Sequence, residues 1–578
     1  MDHRHSAPMT MLPSYQSTRH NTFATPDVVE ASGHPHHNEP WTNEMREWGR
    51  SGPLRQLPSK EGDIWWSTKG HPGSIRRSSG DSTRPIVSKT PDDPNLITWD
   101  GPSDPMNPQS WSLTRKYSQS LILGLFLFIG NFSSTMVAPA LDLIGQDLGI
   151  PAGPERTLIL SVSLFAGAVA PMFWAPLIEV YGRIPIMVYP HFLQLIFNTA
   201  CGFAQTGPQM NVFRFLAAVG SSPPGIIAPG LTADMYPASM GGLGDTMHSM
   251  LPFVGTALGP VVGAQIAATG QWRWIFWSTS FLSILAIALG LIVLRETSHT
   301  VILGRKAAKL RKETGNPRLH SQYHHPDMSF VALFRKRLVL PFLMLFTHPI
   351  VQLPFLYRAY LFGVIALIIS TFEQVWEDGY GMDKSTASFN YFALMAGFII
   401  GLQLSHHFID GGSLKKLMHV LYPDLRLLPQ KDRPRPRPRM AHPPSIATAI
   451  LVPTGLLLYG WTAENRLHWS LPDLAIILLG IGCILGFFSM QPYVTDSCGP
   501  EYASSAHSVG QLLKGLFEFS FPLFGPPLYT GLGLGVGNTI LALLTLAIGV
   551  PIPMVFWFFG ETIRGRSRAG FPVWPSTR

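Results

Sequence analysis

Twelve apolar segments of about twenty residues each make up most of the chain after residue 117. About twenty residues of helix are needed to cross ~30 Å of hydrocarbon, so each segment predicts one membrane-spanning helix. Helices are expected because lipid offers the backbone no hydrogen-bond partner. The predicted spans are 118–140, 156–178, 184–204, 211–234, 247–268, 274–294, 350–374, 387–408, 446–463, 471–494, 505–529 and 536–560.

In front of the seventh span, the apolar stretch that runs from Leu338 to Trp376 is too long for one crossing. Pro341, Pro349 and Pro354 interrupt it, and proline breaks or kinks a helix. We therefore expect a separate interfacial segment before this span.

Composition also indicates a membrane protein. Charged residues make up 13% of the chain, against about 25% in soluble proteins. Between Tyr117 and Leu294, only ten residues are Asp, Glu, Lys or Arg. The three cysteines, Cys201, Cys483 and Cys498, form neither a disulfide framework nor a paired-thiol zinc motif. No metal site is expected.

Lysine and arginine are concentrated in four regions, with 13 up to residue 116, 10 in 295–337, 8 in 409–442 and 4 in 561–578. By the positive-inside rule, these regions and both termini lie in the cytoplasm. This topology accounts for the net charge of +8, so no nucleic-acid partner is expected.

The predicted fold class is an all-α membrane protein with twelve spans in two six-helix halves. We expect a monomer in the lipid bilayer. The predicted regions are a disordered cytoplasmic tail (1–116), a first bundle (117–294), a basic linker (295–337), a second bundle (338–560) that contains a basic Pro/Arg-rich loop (409–442), and a cytoplasmic tail (561–578).

Several short motifs together resemble one family. They are Trp99-Asp100-Gly101, Asp104 to Pro108 with Trp111, Leu310 to Asn316, Pro522 to Pro527, and Ile563-Arg564 with Ser567-Arg568. The chain resembles the major facilitator superfamily, in its fungal branch of twelve-span drug:proton antiporters. The resemblance implies a cavity that opens alternately to either side, with the proton gradient as energy source and no cofactor.

The turn after the second span resembles the gating loop of this superfamily. Glu179, Gly182 and Arg183 carry the match. Glycine permits close backbone approach, and the two charges can pair with each other or with a facing helix end. An ordinary charged turn is the alternative.

The fifth span resembles the motif found mainly in antiporters of the superfamily, through Gly255, Gly259, Pro260 and Gly263. Glycines spaced by four form a groove for close helix packing, and proline can kink the helix. A plain packing face is the alternative.

Three charges inside predicted spans are candidates for proton coupling. Arg214 lies in the fourth span, at a position that the resemblance links to proton coupling; Lys514 and Glu518 lie four residues apart on one face of the eleventh. Charges at membrane depth are costly, which favours a function. Snorkelling of Arg214 and an inert Lys514–Glu518 ion pair are the alternatives.

The stretch from Ala506 to Gly510 looks like a hydrolase nucleophile turn, but no strand precedes it. That chemistry needs a strand-turn-helix context. We therefore expect no catalytic residue and no enzyme activity.

Candidate residues for the cavity lining are Asn131, Ser134, Asn390 and Gln491, together with aromatic residues. A mainly apolar pocket with few polar groups suits an amphiphilic organic molecule. We therefore expect export of a drug-like compound or a fungal secondary metabolite across the plasma membrane, with the vacuolar membrane as second choice.

Two other functions stay open. One is transport of another small organic solute, with polyamine uptake the main example because Glu373 and Glu518 could hold cations. The other is a receptor or scaffold that works through its N-terminal tail without transport.

Overall fold

The structure is a computed structural model that describes residues 93, 95–101, 103–236, 241–321, 330–410, 442–498 and 502–569. The chain divides into two units, Met1–Ser88 and Lys89–Arg578, and all described residues belong to the second. Most of the predicted N-terminal tail, the Pro/Arg-rich loop and the end of the C-terminal tail lie outside the described residues.

The described residues are almost entirely helical. The first half contains α1 (Leu113–Thr135), α2 (Leu141–Asp147), α3 (Pro154–Tyr181), α4 (Arg183–Cys201), α5 (Gly207–Ser221), α6 (Pro223–Met235), α7 (Gly241–Ala268) and α8 (Arg273–Val293). The linker contributes α9 (His299–Thr314). The second half contains α10 (Phe330–Thr347), α11 (Pro349–Gln374), α12 (Lys384–Ser388), α13 (Tyr391–Asp410), α14 (His442–Glu464), α15 (Ser470–Cys498), α16 (Ala503–Gly549) and α17 (Pro551–Ala569).

Ten helical segments of the described chain are long and apolar enough to cross a membrane. This count takes 505–556 as one segment, although Gly533, with φ 80° and ψ 168°, divides α16 into two helical parts. It also leaves out α5 and α6, which meet at Ser222 and are each too short to cross alone. Dividing α16 at Gly533 and taking α5 and α6 together would raise this count from ten to twelve, the number of predicted spans.

The separate segment predicted before the seventh span is α10. It ends at Thr347, and α11 begins with Pro349 after the extended residue His348. Proline is favoured at the first position of a helix because its missing N–H would have no partner there. Pro341 and Pro354 lie inside helices.

The prediction of a disordered tail up to residue 116 is wrong for its last part. Leu96–Ile97 (β1) pairs in parallel with His320–Ser321 (β2) in the linker. The carboxylate of Asp104 accepts the backbone N–H groups of Asp100 at 3.0 Å and Met106 at 2.8 Å. These bonds, that from Asp100 foremost, hold the pKa of Asp104 below its ordinary value.

We call residues 95–101 and 103–111 the clasp, because they hold the linker helix α9. Nζ of Lys306 on α9 contacts Oδ1 of Asp100 at 2.6 Å and the carbonyl of Thr98 at 3.2 Å. The ring of Trp99 meets the ring of His299 edge-on, with centroids 5.5 Å apart. The clasp is held by hydrogen bonds between side chains and backbone, which need no regular spacing of hydrophobic residues. The hydrophobic pattern of the sequence therefore gave no sign that this segment is ordered.

The two halves meet where α3 packs on α16 and α7 packs on α13. We call the side that carries α9 the basic face, and the other side the opposite face. At the opposite face, Ser385 Oγ donates to Oε1 of Gln265 at 2.8 Å, and Nε2 of Gln265 donates to the Ser385 carbonyl at 3.2 Å. These bonds join α7 to α12, and so join the two halves.

Candidate functional site

A cavity of about 510 Å³ lies between the two halves. It is lined by residues of α1, α3, α6, α7, α11, α13, α15 and α16. Neighbouring aromatic rings form part of its wall, with centroids 4.7 to 6.4 Å apart. These rings belong to Phe253, Phe362, Phe398, Phe487 and Phe488.

Three of the four predicted lining residues, Asn131, Ser134 and Gln491, line this cavity. Asn390 does not. The sequence placed it inside the eighth span, but the chain turns at residues 389–390 between α12 and α13. Nδ2 of Asn390 donates to the Ala387 carbonyl at 3.1 Å, so this amide closes the turn.

Lys514 and Glu518 form the predicted ion pair. Nζ of Lys514 lies 3.0 Å from Oε2 of Glu518, and their side chains are 26% and 13% exposed. Both residues line the cavity, where the Lys514 ammonium lies 4.7 Å from the centre of the Phe362 ring. The pair is therefore largely desolvated but still reachable from the cavity.

Arg358 of α11 is a third charged residue in the lining. It is 1% exposed, and its guanidinium carbon lies 4.0 Å from the centre of the Phe487 ring. Nη1 donates to Oε1 of Gln491 at 3.2 Å, while Nε has no hydrogen-bond partner. An arginine in an apolar helix was the available sequence signal, but it did not indicate that Arg358 faces a cavity.

Arg214 points into the first half and does not snorkel. Its guanidinium donates to the carbonyls of Ile159 at 3.2 Å, Ser133 at 3.1 Å and Ser134 at 3.1 Å. A fourth bond goes to Oγ of Ser163 at 3.1 Å. Arg214 therefore lies behind the cavity wall, where it ties α5 to α1 and α3.

The turn between α3 and α4 binds two acidic residues that the sequence analysis missed. Nη2 of Arg183 lies 3.0 Å from the carboxylate of Asp234 at the end of α6. The carboxylate of Glu296 accepts the backbone N–H groups of Arg183 at 3.0 Å and Ile184 at 3.3 Å. The third residue of the motif, Glu179, lies half-buried in the last turn of α3.

Two glycines make room for this network. Gly182 has φ 102°, and a Cβ there would collide with the Glu296 carboxylate. A Cβ on Gly230 of α6 would collide with the guanidinium of Arg183. Glycine permits both approaches without displacing either side chain.

The glycines of α7 pack on α1. A Cβ on Gly255 would lie 2.7 Å from the Phe128 carbonyl, and one on Gly259 or Gly263 would collide with α1 one and two turns further along. Pro260 is buried within α7, which continues through it. The predicted groove for close packing is therefore present.

The described residues contain no group of three or more His, Cys, Asp or Glu that could hold a metal ion. His248 and His507 line the cavity from α7 and α16, on different walls. Neither was singled out from the sequence.

Comparison with known proteins connects this arrangement to one family. A sequence model of the Major Facilitator Superfamily matches residues 121–522. The efflux pump vrtL of Penicillium aethiopicum is 35% identical over 490 residues, which cover 84% of this chain and 94% of that protein. An uncharacterized transporter of Schizosaccharomyces pombe is 36% identical over 476 residues, which cover 82% and 94%.

A solved structure shares the fold. The proton:xylose symporter XylE, bound to 6-bromo-6-deoxy-D-glucose, superposes with a TM-score of 0.57 at 13% identity. The match covers 78% of this chain and 96% of that one. At this identity the likeness concerns the fold alone.

Proposed function

Because the chain belongs to the major facilitator superfamily and is a membrane transporter, we propose that it exports amphiphilic organic compounds in exchange for protons. The cavity opens alternately to the basic face and to the opposite face as the two halves rock. The basic face is cytoplasmic, and export from the cell places the protein in the plasma membrane. The small-molecule cargo and the bilayer are its partners, and the energy source is the proton gradient, without a cofactor.

The aromatic cavity between the halves is the observation that carries this proposal. Its volume of about 510 Å³ falls within the range of about 300–1,000 Å³ that drug-sized ligands occupy. Five phenylalanines of the wall offer contact to an apolar body, and the polar side chains of the lining can orient it.

Glu518 is the proton-binding group in this proposal. Its carboxylate faces the cavity and holds Lys514 at 3.0 Å, and a proton on Glu518 would release that ammonium. A proton that moves inward gains about 2.3 kcal/mol per 100 mV of membrane potential. Arg214 is bonded to carbonyls behind the wall, so its part is to fix the wall near Ser134.

The network around Arg183 is the gate in this proposal. It links the start of α4, the end of α6 and the segment before α9, so these elements move together. The close packing of α7 on α1 keeps the first half rigid during the motion.

Polyamine uptake was considered because Glu373 and Glu518 could hold cations, and the cavity gives this little support. Glu518 is already paired with Lys514, and Glu373 is not among the described residues that line the cavity. Arg358 adds a further positive charge to that lining. A polycation would therefore meet repulsion and no free carboxylate there.

Reconstituted vesicles with an imposed acid gradient test the proposal. A trapped pH dye reports proton flux while fluorescent amphiphiles are added, and we expect cargo and protons to move in opposite directions. Glu518→Gln should abolish this exchange, whereas Glu313→Gln, on the exposed surface of α9, should leave it unchanged. Wild-type vesicles that move neither protons nor amphiphiles would refute the proposal.

A further inference from the structure

Arg183, Arg214 and Arg358 differ in how their charge is satisfied. Arg183 has Asp234 as its ion-pair partner, and Arg214 makes four hydrogen bonds to carbonyl and hydroxyl oxygens. Arg358 makes one side-chain bond, to the neutral amide of Gln491. Its Nε is buried without a hydrogen-bond partner.

A buried guanidinium without an anionic partner is costly, because its desolvation is not repaid by Coulomb attraction. No carboxylate of the described residues forms an ion pair with Arg358 within 4.0 Å. The Phe487 ring, 4.0 Å from the guanidinium carbon, offsets only part of this cost through a cation–π contact. A bound anion would offset the rest of this desolvation cost.

The charges of the whole cavity point the same way. Among the described lining residues, Arg358 and Lys514 are cations and Glu518 is the one carboxylate. Glu518 pairs with Lys514 and also attracts Arg358 electrostatically. One carboxylate therefore faces two cations, and the described lining has a net formal charge of +1 beside a wall of aromatic rings.

We infer that the cargo is an aromatic organic anion, such as a carboxylate or an acidic phenol, and that Arg358 binds its charged group. A planar guanidinium binds a carboxylate through two parallel N–H bonds, and the rings of Phe253, Phe487 and Phe488 pack on the conjugated body. This inference rests on the proposed export function and names the class of compound exported.

The charges of the cavity favour transport of the anion while Glu518 carries no proton. With the anion bound and Glu518 ionised, the cavity is neutral, which suits occlusion in a low-dielectric medium.

Binding to the purified full-length protein tests the inference with three matched fluorescent probes: anthracene carboxylate, its methyl ester and the aminomethyl analogue. We expect the carboxylate to bind at least about tenfold more tightly than the other two, since the bidentate charged contact is worth at least about 1.4 kcal/mol. Arg358→Gln should remove this preference and leave binding of the ester unchanged. Arg273→Gln, which changes an exposed arginine outside the cavity, should retain it.

Glu518→Gln gives a test that a folding defect cannot imitate. It removes the only carboxylate of the described lining, so the anthracene carboxylate should bind several-fold more tightly. Equal wild-type affinity for carboxylate and amine, a parallel loss of carboxylate and ester binding in Arg358→Gln, or weaker carboxylate binding in Glu518→Gln would each overturn the inference.

Flux of the same probes in vesicles separates this inference from the proposed function. Preferential carboxylate binding without flux would refute export but support the anion site. Flux of the amine or the ester, without a preference for the carboxylate, would refute the anion site and support transport.

Discussion

Replacing Gly182 by alanine should destabilise the gate network at the basic face. Gly182 has φ 102° and ψ 173°, a region in which other residues carry about 1–3 kcal/mol of strain. A Cβ would also displace the carboxylate of Glu296 from the N–H groups of Arg183 and Ile184. A hydrogen bond to a charged group contributes about 1.5–3 kcal/mol. Taking the lower figures, about 1 kcal/mol of strain and about 1.5 kcal/mol for each of the two lost bonds, the substitution costs about 4 kcal/mol.

Two other glycines separate the strain from the collision. Gly153 has φ 119°, but an added Cβ would meet no heavy atom within 4 Å. Gly167 lies inside α3 and has the same open space. Gly153→Ala should therefore show strain alone, whereas Gly167→Ala should be neutral or slightly stabilising, because alanine favours helix over glycine.

Thermal unfolding of the purified variants in one detergent is the assay. The unfolding temperature should fall in the order Gly167→Ala, Gly153→Ala, Gly182→Ala, and cargo flux should be lost only in Gly182→Ala. If Gly182→Ala unfolded at the same temperature as Gly153→Ala, the collision with Glu296 would contribute nothing, and the reasoning would be refuted.

Two further predictions concern the ion pair of the gate and the clasp. Asp234→Asn leaves the Arg183 guanidinium without its ion-pair partner at 3.0 Å. The substitution should cost up to about 3–5 kcal/mol of stability and lower the unfolding temperature. The charge swap Arg183→Asp/Asp234→Arg should partly restore that temperature. No rescue would indicate that the pair itself is unimportant. Asp104→Ala removes the acceptor of two backbone N–H groups in the clasp. Amide hydrogen exchange of residues 95–101 and of α9 should therefore become faster. Unchanged exchange rates would show that the clasp does not hold α9.

Features with a local cause could be predicted from the sequence. Apolar segments of the right length identified the spans, and a spacing of four residues placed Lys514 beside Glu518. The same spacing put Gly255, Gly259 and Gly263 on one face of α7, where they contact α1. In each case the spacing is set within one helix, so helical geometry fixes which side chains share a face.

Features that depend on a second helix could not be predicted in this way. Asp234 is 51 residues from Arg183, and Glu296 is 113 residues from it. Only the folded arrangement of α4, α6 and the linker brings them together. That Nε of Arg358 has no hydrogen-bond partner also depends on which helices surround it in the folded protein. Asn390 was misplaced because hydropathy did not detect the turn at residues 389–390.

The formal charges among the described lining residues all come from the second half, through Arg358, Lys514 and Glu518. The Arg183 network, in contrast, lies before α9, with Asp234 and Glu296. A recombination event within the linker would thus exchange one set of charges and preserve the other. If the proposed roles hold, a chimera built at that junction would change which compounds are carried and leave the gate network as it is.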